Sequence, residues 1–218
     1  MEKVFAVLGI IGALLCAVGD LFLDIKGKDN KKLGRYGFID SAWDHMNPNR
    51  FKVSILFAMF GVPLSFLGFL SMAHQLSLQS KGFGFAFFVS VMIGFTGGFL
   101  IHTIICLFPI FFKQVEKKHG FDEGERLVNA VYDTIKIPFW VQYLFLVILP
   151  AFMVIYALFA GLLTLSRWWV LATLPSLMLV SALLRKLNPD LFCDLPMVIA
   201  PSLSMAAISL LALLNQMP

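Results

Sequence analysis

Residues 4–25 combine an apolar run of membrane-spanning length with two carboxylates, and this combination restricts the fold more than any other feature. A bilayer-crossing helix needs about 20 predominantly apolar residues. Asp20 and Asp24 lie four residues apart near the end of the run, so a helix would place both on one face. The positions preceding them on that face are all small, namely Cys16, Ala13 and Gly9. A small-residue stripe that ends in two acids predicts a face packed against other helices rather than against lipid.

The rest of the chain has the same apolar character. Hydrophobic residues make up 59% of it and charged residues 14%, whereas a soluble domain carries about 25% charged residues. Several further runs reach about 20 apolar residues. We therefore predict an all-α polytopic membrane protein, a bundle of six transmembrane helices in a single domain over residues 1–218. The predicted helices cover residues 4–25, 52–74, 83–112, 138–163, 168–184 and 190–214.

Two long polar stretches separate these helices, at residues 26–51 and 113–136. The second has Val128, Val131 and Ile135 at helical spacing after a start that resembles a capping box. We predict a short amphipathic helix on the cytoplasmic surface before helix four. A plain solvated loop is the alternative.

The distribution of basic residues predicts the orientation. The segments after helices one, three and five hold 14 of the 17 Lys and Arg residues, and the other segments hold three. Cytoplasmic loops of membrane proteins carry such an excess. We therefore expect a protein of the cell membrane with its long loops in the cytoplasm and both termini outside.

Asp20 lies about 7–8 Å inside the predicted membrane boundary by helical rise. A carboxylate at that depth must pair, become protonated or face a wet cavity. Arg50 and Lys136 are expected at the same level, so one reading is an ion pair that staples helix one to a loop. The other reading is that Asp20 forms a wall of a cavity open to the cytoplasm.

His102 is predicted deep in helix three, with Cys106 one turn later. A buried histidine of this kind is commonly hydrogen-bonded to a neighbouring helix, but it can also line a pocket or relay a proton. A metal site needs three or four ligands, and no spacing in the chain requires one, so we predict no metal. The sequence names no cofactor.

These residues together predict a polar pocket between helices one, three, four and six. Asp20 and His102 are the candidates for acid–base chemistry. The other candidate pocket residues are Asp24, Arg50, Cys106, Asp133, Tyr143 and Asp194.

Three functions fit this pocket. The first is the binding or modification of a lipid-like or hydrophobic small molecule from the inner leaflet, in a pocket open to the cytoplasm. The second is a small proton-coupled transporter, and the third is a non-catalytic membrane partner or immunity-type protein. No nucleic-acid-binding motif is present, and the signature of membrane phosphatidyltransferases is missing around Asp20.

Four local patterns carry a resemblance. They are Gly19-Asp20, the segment from Ser41-Ala42-Trp43 to Arg50, Gly61-Val62-Pro63 with Gly68, and His102-x3-Cys106-x2-Pro109. With these patterns the chain resembles an uncharacterised family of six-helix bacterial integral membrane proteins. The resemblance implies the architecture and gives weight to those positions, but it implies no activity.

Overall fold

A computed structural model describes residues 1–216, and it is built almost entirely of helices. The predicted all-α class is confirmed. The helices are α1 (Glu2–Asp24), α2 (Asn49–Gln79), α3 (Lys81–His119), α4 (Phe121–Tyr143), α5 (Leu149–Phe159), α6 (Leu174–Leu187) and α7 (Leu195–Leu214). A π-helical turn, Leu144–Ile148, joins α4 to α5 without a break.

Five helices in residues 1–216 are long and apolar enough to cross a membrane, one fewer than predicted. They are α1, α2, α3, the continuous helix Phe121–Phe159, and α7. The exception is the predicted helix 168–184. It is a 3₁₀ segment (Arg167–Ala172) followed by α6, which has 14 residues and a length of about 21 Å, shorter than the ~30 Å hydrocarbon core.

The helices alternate between two ends of the bundle. At one end, here called the terminal end, Ser71 of α2 donates to the Glu2 carbonyl at 3.2 Å, and the Asn215 amide donates to Gln75 at 2.8 Å. Both described ends of the chain therefore lie together. At the opposite end, the loop end, the Lys26 backbone N–H donates to Asp194 at 2.8 Å.

The segment between α5 and α7 runs from one end to the other. The Thr164 backbone N–H donates to Asn215 at 2.8 Å, which holds the start of this segment at the terminal end. Asp194, at the start of α7, lies at the loop end. The 3₁₀ segment and α6 together therefore carry the chain along the bundle, although α6 alone is short.

The polar stretch 26–51 is more structured than predicted. It contains a two-stranded antiparallel pair, β1 (Lys32–Leu33) and β2 (Ile39–Asp40), and a 3₁₀ turn, Ser41–Asp44. Ile39 and Trp43 are buried in a hydrophobic cluster with residues of α2, α3 and α4. The hairpin is thus folded down onto the loop end of the bundle.

The second polar stretch, 113–136, is helical and not a loop. Its first part extends α3 to His119, and α4 begins at Phe121 and runs through Pro138. Only Gly120 separates the two helices, and its φ of +87° is a conformation that favours glycine. The expected start of helix four at Pro138 is therefore wrong, and Val128, Val131 and Ile135, which were expected in a separate short helix, lie within α4. The helices predicted at 168–184 and 190–214 correspond to α6 and α7, and both begin later than predicted, at Leu174 and Leu195.

Small residues bring α1, α2 and α7 into close contact. A Cβ built on Gly9 would lie 2.3 Å from the Gly68 Cα, and one built on Gly12 would lie 2.3 Å from the Ser65 backbone N. The small face of α1 predicted from the sequence is the face in these contacts, since Gly9, Ala13 and Cys16 are buried there. Small residues permit such approach in membrane helices, where close packing drives association.

We expect Gly9→Ala to lower the free energy of unfolding by about 1–2 kcal/mol, because the added methyl group overpacks this contact. Thermal unfolding in detergent micelles measures the effect. Gly82→Ala is the matched control, since a Cβ there meets no atom within 4 Å, and it should be neutral or slightly stabilising. Equal melting temperatures for the two variants would contradict the close packing.

Candidate functional site

A cavity of about 480 Å³ lies at the loop end, between α1, α3, the helix Phe121–Phe159 and α7, with α2 behind it. The hairpin 26–48 covers part of its mouth, where Phe38 and Trp43 contribute to its walls. Its other walls are mainly apolar and include Val62, Ile101, Ile105, Phe108, Phe139, Leu146, Met197 and Met205. The deepest lining residue on α1 is Cys16, about 12 Å from Asp24 by helical rise.

Asp20 reaches this cavity from the packed face of α1. Its Oδ2 accepts a hydrogen bond from the Ser202 hydroxyl of α7 at 2.6 Å. Its Oδ1 lies 3.9 Å from Nδ1 of His102 on α3. The two side chains are 24% and 17% exposed, so both are accessible from the cavity without being solvated as surface groups are.

The contacts behind His102 indicate which ring nitrogen carries its proton. Ser54 of α2 donates its only hydroxyl proton to the Gly19 carbonyl at 2.7 Å. The His102 Nε2 lies 2.9 Å from the same Ser54 oxygen. We assign the Ser54 proton to the Gly19 carbonyl, the shorter of the two contacts, and Nε2 is then the donor. In neutral His102 the lone pair is therefore on Nδ1, which faces Asp20.

With Asp20 in its charged form and His102 neutral, the facing atoms of the two side chains are both acceptors. A carboxylate only accepts hydrogen bonds, and so does a deprotonated Nδ1. At 3.9 Å the two atoms are too far apart for a direct hydrogen bond between them. A proton on His102, or a donor group held between the two, would satisfy both atoms.

Four charged side chains form an ion-pair cluster at the mouth. The Lys26 Nζ lies 2.7 Å from Asp24 and 2.8 Å from Asp40, and the Lys32 Nζ lies 2.8 Å from Asp40. Asp40 is 2% exposed and also accepts from Asn30 at 2.7 Å. The cluster joins the end of α1 to the hairpin, and its two acids balance its two bases.

The cluster shifts the pKa values of its buried members in opposite directions. Burial alone would raise the pKa of Asp40, but the hydrogen bonds from Lys26 and Lys32 outweigh it and hold that pKa below its usual value. Burial alone would lower the pKa of Lys26, but Asp24 and Asp40 outweigh it and raise that pKa. Both side chains are therefore held in their charged forms.

The predicted site residues fall into three groups. Asp20, Asp24, His102 and Tyr143 line the cavity. Cys106 is buried behind it, with its thiol 3.5 Å from Ser54 as donor. The other three, described below, do not line the cavity.

The residues outside the cavity have other partners. Asp133 is on the outer side of α4, where Lys136 lies 2.9 Å away and Tyr36 donates to it at 3.3 Å. Asp194 accepts from the backbone N–H groups of Lys26 and Gly27 at 2.8 and 2.7 Å. It therefore fastens the start of α7 to the end of α1.

The expected ion pair of Asp20 with Arg50 or Lys136 is absent from residues 1–216. The Arg50 guanidinium donates instead to the carbonyls of Leu21, Phe22 and Ile25. It reaches them because the carbonyls at the end of α1 point out of the helix; that of Leu21 also accepts from the Ile25 backbone N–H at 3.3 Å. Lys136 is occupied by Asp133, three residues earlier on α4.

Sequence reasoning missed six polar residues at or beside the cavity: Gln142, Ser54, Ser202, Lys26, Lys32 and Asp40. Ser54 and Ser202 gave no signal, because single serines in apolar helices are common and neither has a charged neighbour in sequence. Lys26, Lys32 and Asp40 were assigned to a solvated loop. A signal for the last three was available in Trp43 and the glycine-rich turns, which indicated that this stretch folds against the bundle.

In residues 1–216 no group of three or more His, Cys, Asp and Glu side chains is close enough to hold a metal ion. The cavity lining offers the Asp20 carboxylate, the His102 imidazole, the Ser202 and Tyr143 hydroxyls and the Gln142 amide, and the Ser54 hydroxyl lies behind His102.

Comparison with known proteins gives a family but no activity. A search of curated proteins found no match, and a search of solved structures also found none. A family model does match residues 1–217, which confirms the resemblance to an uncharacterised family. The chain therefore belongs to a family of unknown function, DUF6796.

Proposed function

We propose that this protein binds a lipid-like or other hydrophobic small molecule in the cavity, with the polar end of the ligand at Asp20 and His102. The observation that carries the proposal is that these two side chains face one another inside a cavity whose walls are mainly apolar. The volume of about 480 Å³ lies within the range of about 300–1,000 Å³ typical of small-molecule sites. His102 Nδ1 is placed to take a proton from a ligand group held there.

The proposal includes six membrane crossings, with the loop end in the cytoplasm and both termini outside the cell membrane. The shared position of Glu2 and Asn215 supports an even number of crossings. Residues 165–193 would supply the sixth crossing, since they run from the terminal end to the loop end. The loop end also carries 14 of the 17 basic residues, as expected for the cytoplasmic side.

Cysteine labelling tests this orientation. In a variant without the three native cysteines, Lys31→Cys should react with a membrane-impermeant maleimide only after the cells are opened. A cysteine at Glu2 should react in intact cells. Labelling of Lys31→Cys in intact cells would contradict the proposed orientation.

The cavity favours binding over the two alternatives. Its lining ends at Cys16 and Met205, and beyond this level Gly12 packs directly against Ser65, which gives no support for a transport path. An immunity-type role would agree better with Asp20 paired to Arg50 and no cavity. Neither condition holds in residues 1–216.

Photolabelling tests the proposed binding. We expect a diazirine-bearing alkyl probe in nanodiscs to crosslink to cavity residues such as Ile105, Phe108 and Met197, in addition to outward-facing residues such as Leu56 and Phe85. Peptide mass spectrometry locates the adducts. Labelling confined to outward-facing residues would contradict the proposal.

Filling the cavity provides the matched control. A Cβ on Gly98 would make ordinary contacts at 3.5 and 3.6 Å with Leu146 and Val62, so Gly98→Met should fold and place its side chain in the cavity. This variant should lose the inner adducts and keep the outer ones. Gly82→Met, at an open position, should keep both sets.

A further inference from the structure

We propose that the polar group recognised at Asp20 and His102 is a protonated primary amine, so that the ligand is a cationic amphiphile. This inference rests on the proposed function and names its ligand class. It follows from three observations: the acceptors that face the cavity, the balance of charges around it, and the apolar character of its walls.

The first observation is a pair of convergent acceptors, formed when Asp20 is charged and His102 is neutral. Asp20 Oδ1 and His102 Nδ1 are 3.9 Å apart, and Nδ1 of neutral His102 has a free lone pair because Nε2 donates to Ser54. A nitrogen placed about 2.9 Å from both atoms makes two ordinary hydrogen bonds. A primary ammonium has three N–H donors and can supply both, whereas a neutral hydroxyl has one proton to donate.

The second observation is the charge balance. At the mouth, Asp24 and Asp40 are matched by Lys26 and Lys32. Within residues 1–216 the polar partners of Asp20 are the neutral Ser202 and the His102 ring, so a charge on Asp20 is the unmatched one. A cationic group removes this imbalance in a poorly solvated site, where charge-assisted hydrogen bonds are strong. An anionic group would be repelled by Asp20.

The apolar walls determine the remainder of the ligand. The cavity continues from Asp20 along Ile101, Leu146 and Met205, which offer no charge to a second polar group. An alkyl chain attached to the amine therefore matches the cavity, and a small polar diamine does not.

The fluorescence of Trp43 can report ligand binding in the cavity. It lines the cavity and is 5% exposed, and the other three tryptophans, Trp140, Trp168 and Trp169, do not line it. In nanodiscs carrying W140F, W168F and W169F together, Trp43 fluorescence can be followed while octylamine, octan-1-ol and octanoate are titrated at neutral pH. We expect saturable binding, with octylamine at least tenfold tighter than octan-1-ol and octanoate the weakest.

Octyltrimethylammonium separates charge from hydrogen bonding in the unmodified site. It keeps the positive charge but has no N–H donor, so we expect it to bind about tenfold more weakly than octylamine. Asp20→Asn should remove the preference for the amine over the alcohol, a loss of about 10–100-fold. Asp190→Asn, an exposed control at the loop end, should retain the preference.

The outcomes distinguish the inference from the proposed function. If octan-1-ol or octanoate binds as well as octylamine, the amine assignment is wrong and the binding cavity stands. If none of the probes binds saturably, both are wrong. If Asp20→Asn does not fold, the comparison of octylamine with octyltrimethylammonium and octan-1-ol on the unchanged site decides the matter.

Discussion

Asp40→Asn is expected to lower the free energy of unfolding by about 3–4 kcal/mol, since removal of one partner from a buried ionic network typically costs 3–5 kcal/mol. Unfolding in mixed micelles, followed by near-ultraviolet circular dichroism, measures this change. The effect should be among the largest of any single polar substitution in the protein.

The size of the effect follows from the surroundings of Asp40. Its carboxylate is 2% exposed and receives hydrogen bonds or ion pairs from Lys26, Lys32 and Asn30, all at 2.7–2.8 Å. An asparagine would keep one acceptor oxygen, but its NH₂ group would face one of the lysine or asparagine donors that the carboxylate now accepts from. Lys26, whose side chain is 13% exposed, would then retain only Asp24 as a partner.

Asp44→Asn is the matched control. It lies in the same hairpin segment, is exposed, and its side chain takes no part in the cluster, so it should change the free energy of unfolding by less than about 0.5 kcal/mol. If Asp40→Asn also changed the free energy of unfolding by less than about 0.5 kcal/mol, the cluster would contribute nothing to stability.

The pH dependence of unfolding gives a second readout of the cluster. Because the pKa of Asp40 is lowered by folding, its contribution is complete above the unfolded value of about 3.9 and is lost as the pH falls below it. Because the pKa of Lys26 is raised, its contribution is complete below about 10.4 and is lost as the pH rises above it. The contribution of the cluster should therefore be constant between these limits, and Asp40→Asn should reduce the loss on the acid side.

The sequence predicted most accurately what apolar periodicity and small residues determine. The apolar runs became helices, and the face of α1 with Gly9, Ala13 and Cys16 is the packed one. These features depend on neighbours one helical turn away, so they can be read locally. Asp20 and His102 were selected because polar groups in apolar helices are costly.

Helix ends were predicted poorly for a physical reason. A helix does not stop where the bilayer does, and Lys, Glu and Gln are good helix formers. Residues 113–119 therefore extend α3, and Gly120 ends it. Pro138 was read as a helix start, but it lies within α4, as membrane helices tolerate.

The partners of the site residues could not be predicted because they are distant in sequence. Ser202 lies 182 positions from Asp20, and Ser54 lies 48 from His102. Arg50 illustrates the same difficulty for a long side chain. Its expected partner was a carboxylate at the same membrane level, yet its planar group meets backbone carbonyls, which carry no sequence signal.

Arg50→Met is expected to lower the free energy of unfolding by about 2–3 kcal/mol, because the carbonyls of Leu21, Phe22 and Ile25 lose charge-assisted donors at the end of α1. Arg50→Lys should recover part of the loss, since a lysine is a single point donor and lacks the planar fork of arginine. Lys52→Met, an exposed position on the same helix, is the control and should have little effect.

The same variant also decides between the two roles considered for Arg50. If Arg50 neutralised Asp20, its removal would free the carboxylate and strengthen the binding of octylamine. In the structure Asp20 is held by Ser202 and faces His102, and Arg50 contacts neither of these side chains. We therefore expect Arg50→Met to destabilise the fold while the preference for octylamine over octan-1-ol stays within about twofold of its original value, because Arg50 fastens the end of α1 and Asp20 serves the cavity.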